Sequence, residues 1–380
     1  MKVVYFGTYR ADYSRNQILI AGLRSAGVEV SECHEALWHG IEDRVNAASG
    51  GWVNPAFIAR FLRVYLRLLW RGLHLTPYDV LICGYPGHFD VFLARFLTWL
   101  RKRPLVWDVF MSIYLIALER GLDHKSGLTT GFIRLAEKFA LRLPDRLVQD
   151  TSQYVTWLNT VHGVSPERFW LVPTGADDRT FKPSGTRKNP KSVVFTVLYY
   201  GTFIANHRVP YIIEAARILQ EEAHLQFELV GEGPEKPQCE QLVQKYNLKN
   251  VTFVPWMSQN ELVARIVQSD VCLGAFGKTP QSLMTVQNKI YEGLAMARPV
   301  VSGDSPAVRA TLQHGSHIWL CDRDHPESLA QAILTLRAKP ELSQQIAENG
   351  YTLFCARYAV KALGESLKAQ LENMLKTWPN

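Results

Sequence analysis

The sequence is poor in cysteine and lacks the spacings that cysteine-based sites require. Its 380 residues include six cysteines, and no two of them form a CxxC pair. Structural zinc sites and disulfide-stabilised domains use short, regular cysteine spacings, so neither is expected. Cys83 and Cys272 lie in apolar runs typical of strands, where cysteine behaves as a small hydrophobic residue. These features predict a protein of a reducing compartment.

Long apolar segments are missing as well. No stretch reaches the roughly 18 uninterrupted apolar residues that a membrane-spanning helix needs. The first residues, MKVVYFGTY, predict a strand that enters a turn, without the apolar run and cleavage site of a signal peptide. We therefore expect a cytoplasmic protein, and peripheral attachment to the inner face of the cell membrane stays open.

The composition is that of a globular protein with an excess of basic residues. Apolar residues make up 47% and charged residues 20%, which excludes a disordered or fibrous chain. A length of 380 residues suits two α/β domains better than one core. The net charge of +7 suits an acidic partner such as nucleic acid, an anionic membrane or a phosphorylated substrate, and does not choose among them.

Short apolar runs alternate with helical patterns along the first half of the chain. The first predicted helix, 15–26, would end at the C-cap Gly27. Strands that alternate with helices predict a parallel, doubly wound α/β sheet. The predicted strands are 2–6, 28–31, 80–83, 104–107, 146–149 and 169–172.

The alternation stops at a polar segment rich in Pro and Gly and then starts again. In the second half the predicted strands are 193–200, 225–230, 251–254, 271–275 and 299–302. The predicted organisation is a Rossmann-like domain at 1–182, a linker at 183–191, a second Rossmann-like domain at 192–355, and a last helix at 356–380 that could return to the first domain. Ligands of such sheets bind in the cleft at the C-terminal ends of the strands, so the loops there are expected to carry the chemistry.

Four stretches of the second half share their order and spacing with a known enzyme family. They are YYGTFIANHRVPYIIEAARIL (199–219), LVGEGP (229–234), VTFVPWMSQNELVARIVQSDVCLGAFG (251–277) and NKIYEGLAMARPVVSGDSPAVRATL (288–312). With them the chain resembles glycosyltransferase family 4, the retaining enzymes with the GT-B fold (glycosyl transferases group 1). The first half, through MKVVYFGTYRADYSRNQILIAGLRSAGVEV and DRLVQDTSQ, is similar to the acceptor domain of a subgroup of that family. The resemblance implies a nucleotide-sugar donor on the C-terminal domain and an acceptor on the N-terminal domain.

The start of the helix predicted near 289 is the best candidate for the donor nucleotide. A lysine in a first helical turn is unfavourable unless an anion lies there, so Lys289, after Asn288, is predicted to bind the donor diphosphate. Glu292 shares a face with Lys289, and the resemblance implies that its carboxylate holds the ribose hydroxyls. The alternatives are a solvated lysine and an ordinary salt bridge between the two residues.

Glycine-containing turns follow three predicted strands of the second half. Glycine lets a phosphate or sugar approach the backbone closely, so these turns are predicted to line the donor. The family at large has cations at the positions of Thr202 and His207, and the nearer subgroup has histidine at the second, which implies that His207 contacts donor oxygens. Plain solvent exposure of His207 is the alternative. The turns are Gly201-Thr202, Gly231-Glu232-Gly233 and Phe276-Gly277.

The loop 278–287 departs from the family. The wider family has a glutamate at the position of Met284, and the nearer subgroup has basic residues around Gln281 and Met284, where this sequence is neutral. Whether Lys278 compensates stays open. The identity of the sugar is therefore not predicted.

Candidate acceptor residues follow the strands of the first half. Arg15 is predicted to meet an anionic acceptor or the donor phosphates, or else to cap a surface turn. Asp108 is predicted to orient or deprotonate the acceptor hydroxyl, or else to cap the following helix. At Asp150-Thr151 capping is expected. The other acceptor candidates are Gly7, Thr8, Tyr9, Asn16, His88 and Ser112.

Two further segments are interpreted by their context. Asp322-Arg-Asp324 has the spacing of a divalent-metal motif but is predicted to form a turn and cap, so neither a metal nor a cofactor is expected. Segment 57–75 predicts a helix on which Arg60, Arg63, Arg67 and Arg71 fall within about an 80° arc among apolar positions. Such a helix suits an anionic membrane surface, and a helix packed on the sheet with a solvated arginine edge is the alternative. Nucleic acid is not expected, because stacking aromatics do not accompany the basic residues.

The sequence thus predicts a metal-independent, retaining transferase that moves a hexose from a UDP- or GDP-sugar to a hydroxyl of a glycan or lipid-linked acceptor. Catalysis is assigned to Lys289 and His207 at the leaving diphosphate and to Asp108 at the acceptor hydroxyl. The missing cations motivate an alternative, a non-catalytic partner of a glycosylation system that binds nucleotide-sugar or membrane. The resemblance of the acceptor domain disfavours a sugar-nucleotide epimerase.

Overall fold

The computed structural model describes residues 1–37, 54–183 and 194–379. These residues form two compact units, which are unit 1 (Met1–Pro173 with Leu363–Asn380) and unit 2 (Thr174–Ala362). Of the predicted linker, 184–191 lies outside the described residues.

Unit 1 contains a six-stranded sheet in which every neighbouring pair is parallel, with the order β2-β1-β3-β4-β5-β6. Its inner strands are mostly apolar and almost wholly buried because helices cover both faces. The strands are β1 (Lys2–Gly7), β2 (Glu29–His34), β3 (Val80–Cys83), β4 (Leu105–Asp108), β5 (Arg146–Gln149) and β6 (Phe169–Leu171).

The strand order fixes which helices share a face of this sheet. The helices are α1 (Ser14–Ser25), α2 (Pro55–Leu73), α3 (Asp90–Arg101), α4 (Ile113–Glu119), α5 (Leu122–Lys125), α6 (Gly127–Ala140) and α7 (Ser152–His162), with a 3-10 helix at Pro166–Arg168. The β1 to β2 connection runs towards one edge of the sheet, and all later connections run towards the other. Since crossovers are right-handed, α1 lies on one face and α2, α3, α6 and α7 lie on the opposite face.

Unit 2 repeats this architecture with the order β12-β11-β10-β7-β8-β9, again all parallel. The strands are β7 (Phe195–Tyr200), β8 (Leu225–Val230), β9 (Val251–Val254), β10 (Val271–Leu273), β11 (Val300–Gly303) and β12 (Trp319–Cys321). The helices are α8 (Val209–Ile218), α9 (Lys236–Lys245), α10 (Gln259–Gln268), α11 (Pro280–Met284), α12 (Asn288–Ala295), α13 (Pro306–Thr311), α14 (Pro326–Ala338) and α15 (Pro340–Arg357); α16 (Val360–Lys376) runs from unit 2 into unit 1.

The predicted doubly wound α/β architecture is confirmed, and the differences are local. The first helix has its C-cap at Ala26, one residue before the predicted cap Gly27, and Gly27 follows with φ +80°. The segment 278–287, predicted as a loop, contains α11. The side chain of Thr279 accepts from the Ser282 backbone N–H and Pro280 occupies the first helical position, which together start a helical turn there.

The last helix, α16, packs on α1 through two glycines. A Cβ added at Gly364 would overlap the backbone carbonyl of Gly22, so the two helices approach with no side chain between them. The Lys368 ammonium donates to the Ala26 carbonyl at 2.8 Å, at the C-terminal end of α1 where a cation is favourable. This close approach holds the C-terminal segment on unit 1.

We expect Gly364→Ala to lower the free energy of unfolding by about 1–3 kcal/mol, because the added methyl group must push α16 away from α1. Gly131→Ala in α6 is the matched control, since nothing lies within 4 Å of a Cβ there. That change should raise stability by roughly 0.5–1 kcal/mol. Urea unfolding followed by circular dichroism measures both variants, and stabilisation by both would contradict the tight helix contact.

Candidate functional site

Three loops meet at the C-terminal ends of the strands in unit 2, and their glycines allow the contact. Gly201, Gly231 and Gly233 have φ values of +141°, +135° and +153°, which side-chain-bearing residues rarely adopt. A Cβ on Gly231 would overlap the Gly201 carbonyl, and one on Gly277 would overlap the carbonyl of Ala205. The loop after β7 is therefore packed, backbone against backbone, between the loops after β8 and β10.

Hydrogen bonds fix the loop after β7 in this position. The Gly201 N–H donates to Val230 at 3.0 Å, and the Phe203 N–H donates to the Glu232 carbonyl at 2.9 Å. On the other side, the Phe276 N–H donates to the His207 carbonyl at 3.1 Å. The three predicted turns of the donor site are thus one connected structure.

Lys289 lies in the first turn of α12, as predicted, and is 6% exposed. Its Nζ lies 4.1 Å from the centroid of the Tyr199 ring and 3.4 Å from His207 Nδ1, and it would be 2.6 Å from a Cβ on Gly201. Among the described residues no carboxylate oxygen lies within 4.0 Å of this ammonium. Burial lowers the pKa of Lys289 to about 7. A buried cation without a counter-ion is a ready site for an anion.

His207 is turned towards this lysine rather than towards solvent. Its Nδ1 lies 2.7 Å from the Thr202 carbonyl oxygen and 3.0 Å from the Tyr199 hydroxyl. Burial, and then the charge of Lys289, lower the pKa of His207 to about 3, so the ring is neutral. Since a carbonyl only accepts, Nδ1 carries the proton and Nε2 can accept a hydrogen bond from a ligand.

Glu292 lies one turn after Lys289 and is half-buried. The salt bridge considered as an alternative is not formed, since no ion pair within 4.0 Å joins these two described residues. Burial raises the pKa of Glu292 to about 7, and the Tyr200 hydroxyl and Lys289 oppose the shift. Two titratable groups with opposed shifts on one helix face are typical of a binding or catalytic site.

A residue that the sequence analysis passed over positions the neighbouring loop. Arg323 is buried and donates to the Gly303 carbonyl at 2.9 Å, to the Ser282 hydroxyl at 3.1 Å and to the Gly277 carbonyl. Burial lowers its pKa to about 10. The signal available in the sequence was its place directly after a short strand, β12, at the same edge of the sheet as Gly277.

The one cation of the loop 278–287 already has a partner. Lys278 forms an ion pair with Asp324. Asp322 accepts from the Asp324 backbone N–H at 2.6 Å, as a turn requires. In the described ranges no group of three or more His, Cys, Asp or Glu side chains could hold a metal ion.

In unit 1, Arg15 and Asp108 form a fully buried ion pair. Arg15 Nε donates to the carboxylate at 2.8 Å and Nη2 at 2.6 Å, and Nη1 donates to the Val172 carbonyl at 3.1 Å. The carboxylate raises the pKa of Arg15. Both capping alternatives are wrong, since Arg15 is not at the surface and the helix after Asp108 is capped by Ser112, whose hydroxyl accepts from Leu115 N–H.

Asp150 lies beside this pair, at the end of β5. The expected cap is formed by its neighbour Thr151, whose side chain accepts from Tyr154 N–H at 3.2 Å. The Asp150 carboxylate is buried, and no described side chain donates to it. Burial raises its pKa to about 7, while the nearby Arg15 opposes the shift. Asp150 is therefore a buried polar group beside a charged pair and does not itself form the expected cap.

The remaining acceptor candidates use their polar groups within unit 1. The Thr8 N–H and hydroxyl donate to Asp90, at 2.7 and 3.0 Å, and a Cβ on Gly7 would be 2.5 Å from that carboxylate. The Tyr9 hydroxyl donates to Glu32 at 2.6 Å. Asn16 accepts from the Tyr5 hydroxyl at 2.9 Å and donates to the Arg10 and Tyr85 carbonyls.

His88 and Ser112 meet at the buried carboxylate of Glu137. The Ser112 hydroxyl donates to it at 2.6 Å, His88 Nε2 lies at 3.1 Å, and His162 Nε2 also lies at 3.1 Å. Hydrogen bonds from these groups outweigh burial and lower the pKa of Glu137 to about 2. Contact of His88 and Ser112 with an acceptor stays a prediction. In this structure Ser112 caps α4, and His88 contacts Glu137, which accepts from the first N–H of that helix.

Comparison with known proteins identifies a family that this chain resembles. Residues 194–339 match the family model described as glycosyl transferases group 1. The Alpha-D-kanosaminyltransferase of Streptomyces kanamyceticus is 31% identical over 288 residues, which cover 72% of this chain and 72% of that protein.

Solved structures share the fold of the whole chain at low identity. HepE of Anabaena, crystallised with UDP, superposes with a TM-score of 0.70 at 14% identity, covering 98% of this chain and 100% of that one. Sucrose-phosphate synthase of Thermosynechococcus elongatus superposes with a TM-score of 0.72 at 18% identity, covering 99% and 98%. The fold is GT-B, as predicted. The chain belongs to the glycosyl transferases group 1 family and is a glycosyltransferase.

Proposed function

We propose that the protein is a retaining, family 4 hexosyltransferase that moves a hexose from a UDP- or GDP-sugar to a hydroxyl of a glycan or lipid-linked acceptor. The observation that carries the proposal is the buried Lys289 ammonium, which has no carboxylate partner in the described part of the chain and lies close to Gly201. HepE has been crystallised with UDP and with UDP-glucose, which supports a nucleotide-sugar donor.

In the proposed chemistry, different residues of unit 2 bind different parts of the donor. Lys289 and the N-terminal end of α12 bind the diphosphate and stabilise its charge as the bond to the sugar breaks. The Glu292 carboxylate accepts hydrogen bonds from the two ribose hydroxyls. His207 Nε2 accepts a hydrogen bond from a hydroxyl of the donor, and the leaving diphosphate takes the proton of the acceptor hydroxyl.

The acceptor side of the proposal rests on unit 1. Asp108 is held by Arg15, so its role is to fix the charge and geometry around the acceptor hydroxyl. A lipid-linked acceptor agrees with attachment of a cytoplasmic protein to an anionic membrane through 57–75. No described helix is both long enough and apolar enough to cross a membrane.

The activity is tested with purified protein, a panel of UDP- and GDP-sugars, and a membrane extract as acceptor source. A thermal-shift screen first identifies the nucleotide, and transfer is then followed with the sugar radiolabelled, with and without EDTA. We expect transfer that EDTA does not reduce, to a product of the same anomeric configuration as the donor. Donor binding without transfer or hydrolysis would favour the non-catalytic alternative, which the neutral Thr202, Gln281 and Met284 motivate.

We expect Glu292→Ala to weaken binding of the donor by about 1.5–3 kcal/mol, since it removes charge-assisted hydrogen bonds to the ribose. Isothermal titration calorimetry measures the loss. Glu341→Ala, an exposed acid in the first turn of α15 in the same unit, is the control and should bind normally. Normal donor binding by Glu292→Ala, together with lower stability, would assign this residue to folding instead.

The opposed pKa shifts predict a pH optimum for donor binding near 7. Lys289 loses its proton above about pH 7, which weakens attraction of the diphosphate, and Glu292 is protonated below about pH 7, which weakens its bonds to the ribose. A nucleotide-sugar has no ionisation of its own near neutral pH. Calorimetry from pH 5.5 to 8.5, about 1.5 units to either side, should show Lys289→Gln losing the alkaline decline and Glu292→Gln losing the acid decline. If both variants keep both declines, the titration of Lys289 and Glu292 does not cause the pH dependence of donor binding.

A further inference from the structure

The helical face of unit 1 exposes an unusual amount of apolar surface. Fourteen of the eighteen large hydrophobic side chains that are exposed in the described residues lie on or beside α2, α3 and α6. Together they amount to on the order of 1,000 Å², whereas the largest apolar patch of a typical monomer is roughly 300–600 Å². We call this surface the three-helix face.

Helix α2 has two apolar faces, of which one is buried. Phe57, Val64, Leu68 and Gly72 pack on the unit. A second stripe stays exposed at i, i+4 spacing and consists of Ile58, Leu62, Leu66, Trp70 and Leu73. At about 100° per residue the four arginines of α2 fall directly beside this stripe. The alternative of a helix packed on the sheet therefore describes the buried face of α2 and does not account for its exposed apolar stripe.

Helices α3 and α6 continue the exposed surface. On α3 the exposed residues are Phe92, Phe96, Trp99 and Leu100, with Trp99 72% exposed. On α6 they are Leu128, Phe132, Leu135 and Phe139. Each set follows a helical repeat of three or four residues, so each helix presents one stripe outward.

The three helices lie side by side on one face of the sheet. Leu97 of α3 lies against Gly72 of α2, and the Arg101 guanidinium donates to the Leu73 carbonyl at 2.8 Å. His88, just before α3, contacts Glu137 of α6 at 3.1 Å. The three stripes therefore lie on neighbouring helices of the same face.

All exposed charges of these helices have the same sign. Their sequences contain eight basic residues and two acidic ones, Asp90 and Glu137, which are both buried. Arg63, Arg67 and Lys138 are exposed beside the apolar stripes. An apolar surface edged by lysine, arginine and tryptophan matches the interface of an anionic bilayer. Two copies of this face would bring like charges together, which disfavours a dimer.

We propose that the three-helix face, and not 57–75 alone, docks the protein on an anionic lipid bilayer, with the stripes of α2, α3 and α6 inserted among the headgroups. The proposal deepens, and rests on, transfer to a lipid-linked acceptor. It places unit 1 against the membrane through the face of its sheet opposite α1.

Vesicle flotation tests the proposal with phosphatidylcholine vesicles and with vesicles that also contain phosphatidylglycerol. We expect binding to the anionic vesicles that falls as salt is raised. Trp70→Ser/Trp99→Ser/Phe132→Ser, which removes one anchor from each helix, should weaken it by about tenfold or more. The matched control replaces exposed apolar residues elsewhere, Leu171→Ser/Ile218→Ser/Trp256→Ser, and should bind as the unaltered protein does.

A charge variant tests the choice of lipid. Arg63→Gln/Arg67→Gln should lose most of the preference for anionic vesicles, and Lys249→Gln/Lys339→Gln, exposed cations of unit 2, should keep it. Equal binding to both vesicle types, or undiminished binding by the triple serine variant, overturns the proposal. So does a dimer in solution that the triple variant dissociates while no vesicle is bound. Donor binding, measured in parallel, reports separately on the proposed transferase activity and on folding.

Discussion

The direct contact between backbones at Gly201 and Gly231 is the constraint on which the proposed donor site depends. Any side chain at Gly231 would collide with the Gly201 carbonyl, and any at Gly201 would meet the Lys289 ammonium. Because these positions lack a Cβ, the loop after β7 comes close to the start of α12, and Tyr199 and His207 surround the lysine. The glycines serve less to make the loops flexible than to let three strand ends and one helix start share a small volume.

The described residues include three buried Lys and Arg side chains, which differ in how their charge is compensated. Arg15 is neutralised by Asp108, and Arg323 is solvated by carbonyl oxygens. Among the described residues Lys289 has neither kind of oxygen partner and contacts only the Tyr199 ring and His207 with its ammonium, and burial lowers its pKa to about 7. An uncompensated buried charge costs several kcal/mol. A bound anion would offset the cost at Lys289, so Arg15 and Arg323 stabilise the fold, whereas Lys289 is suited to the proposed ligand.

The parts of this structure that follow local rules could be predicted from the sequence. Eleven of the twelve strands in the described residues and the first-turn position of Lys289 depend on residues close in the chain, and they were predicted. Arg15 and Asp108 are 93 positions apart, so nothing local distinguished a buried pair from a capped turn and a free base. The same holds for Arg323, whose hydrogen bonds reach back 41 and 46 residues to the loop before α12. At Asp150-Thr151 the cap was assigned to a pair of adjacent residues, and only the structure shows that the threonine performs it and the aspartate does not.

The distribution of charge helps to distinguish the classes of partner that the net charge alone leaves open. An excess of +7 is compatible with nucleic acid, membrane or phosphorylated substrates. In unit 2, Lys289 and Arg323 are buried near the strand ends, and Lys278 is paired with Asp324. The exposed cations of α2, α3 and α6 are accompanied by leucine, phenylalanine and tryptophan, and the two acids of these helices are buried. A nucleic-acid groove would pair exposed cations with polar surface, whereas here the positive charge borders a large apolar area, and the proposed lipid interface satisfies both.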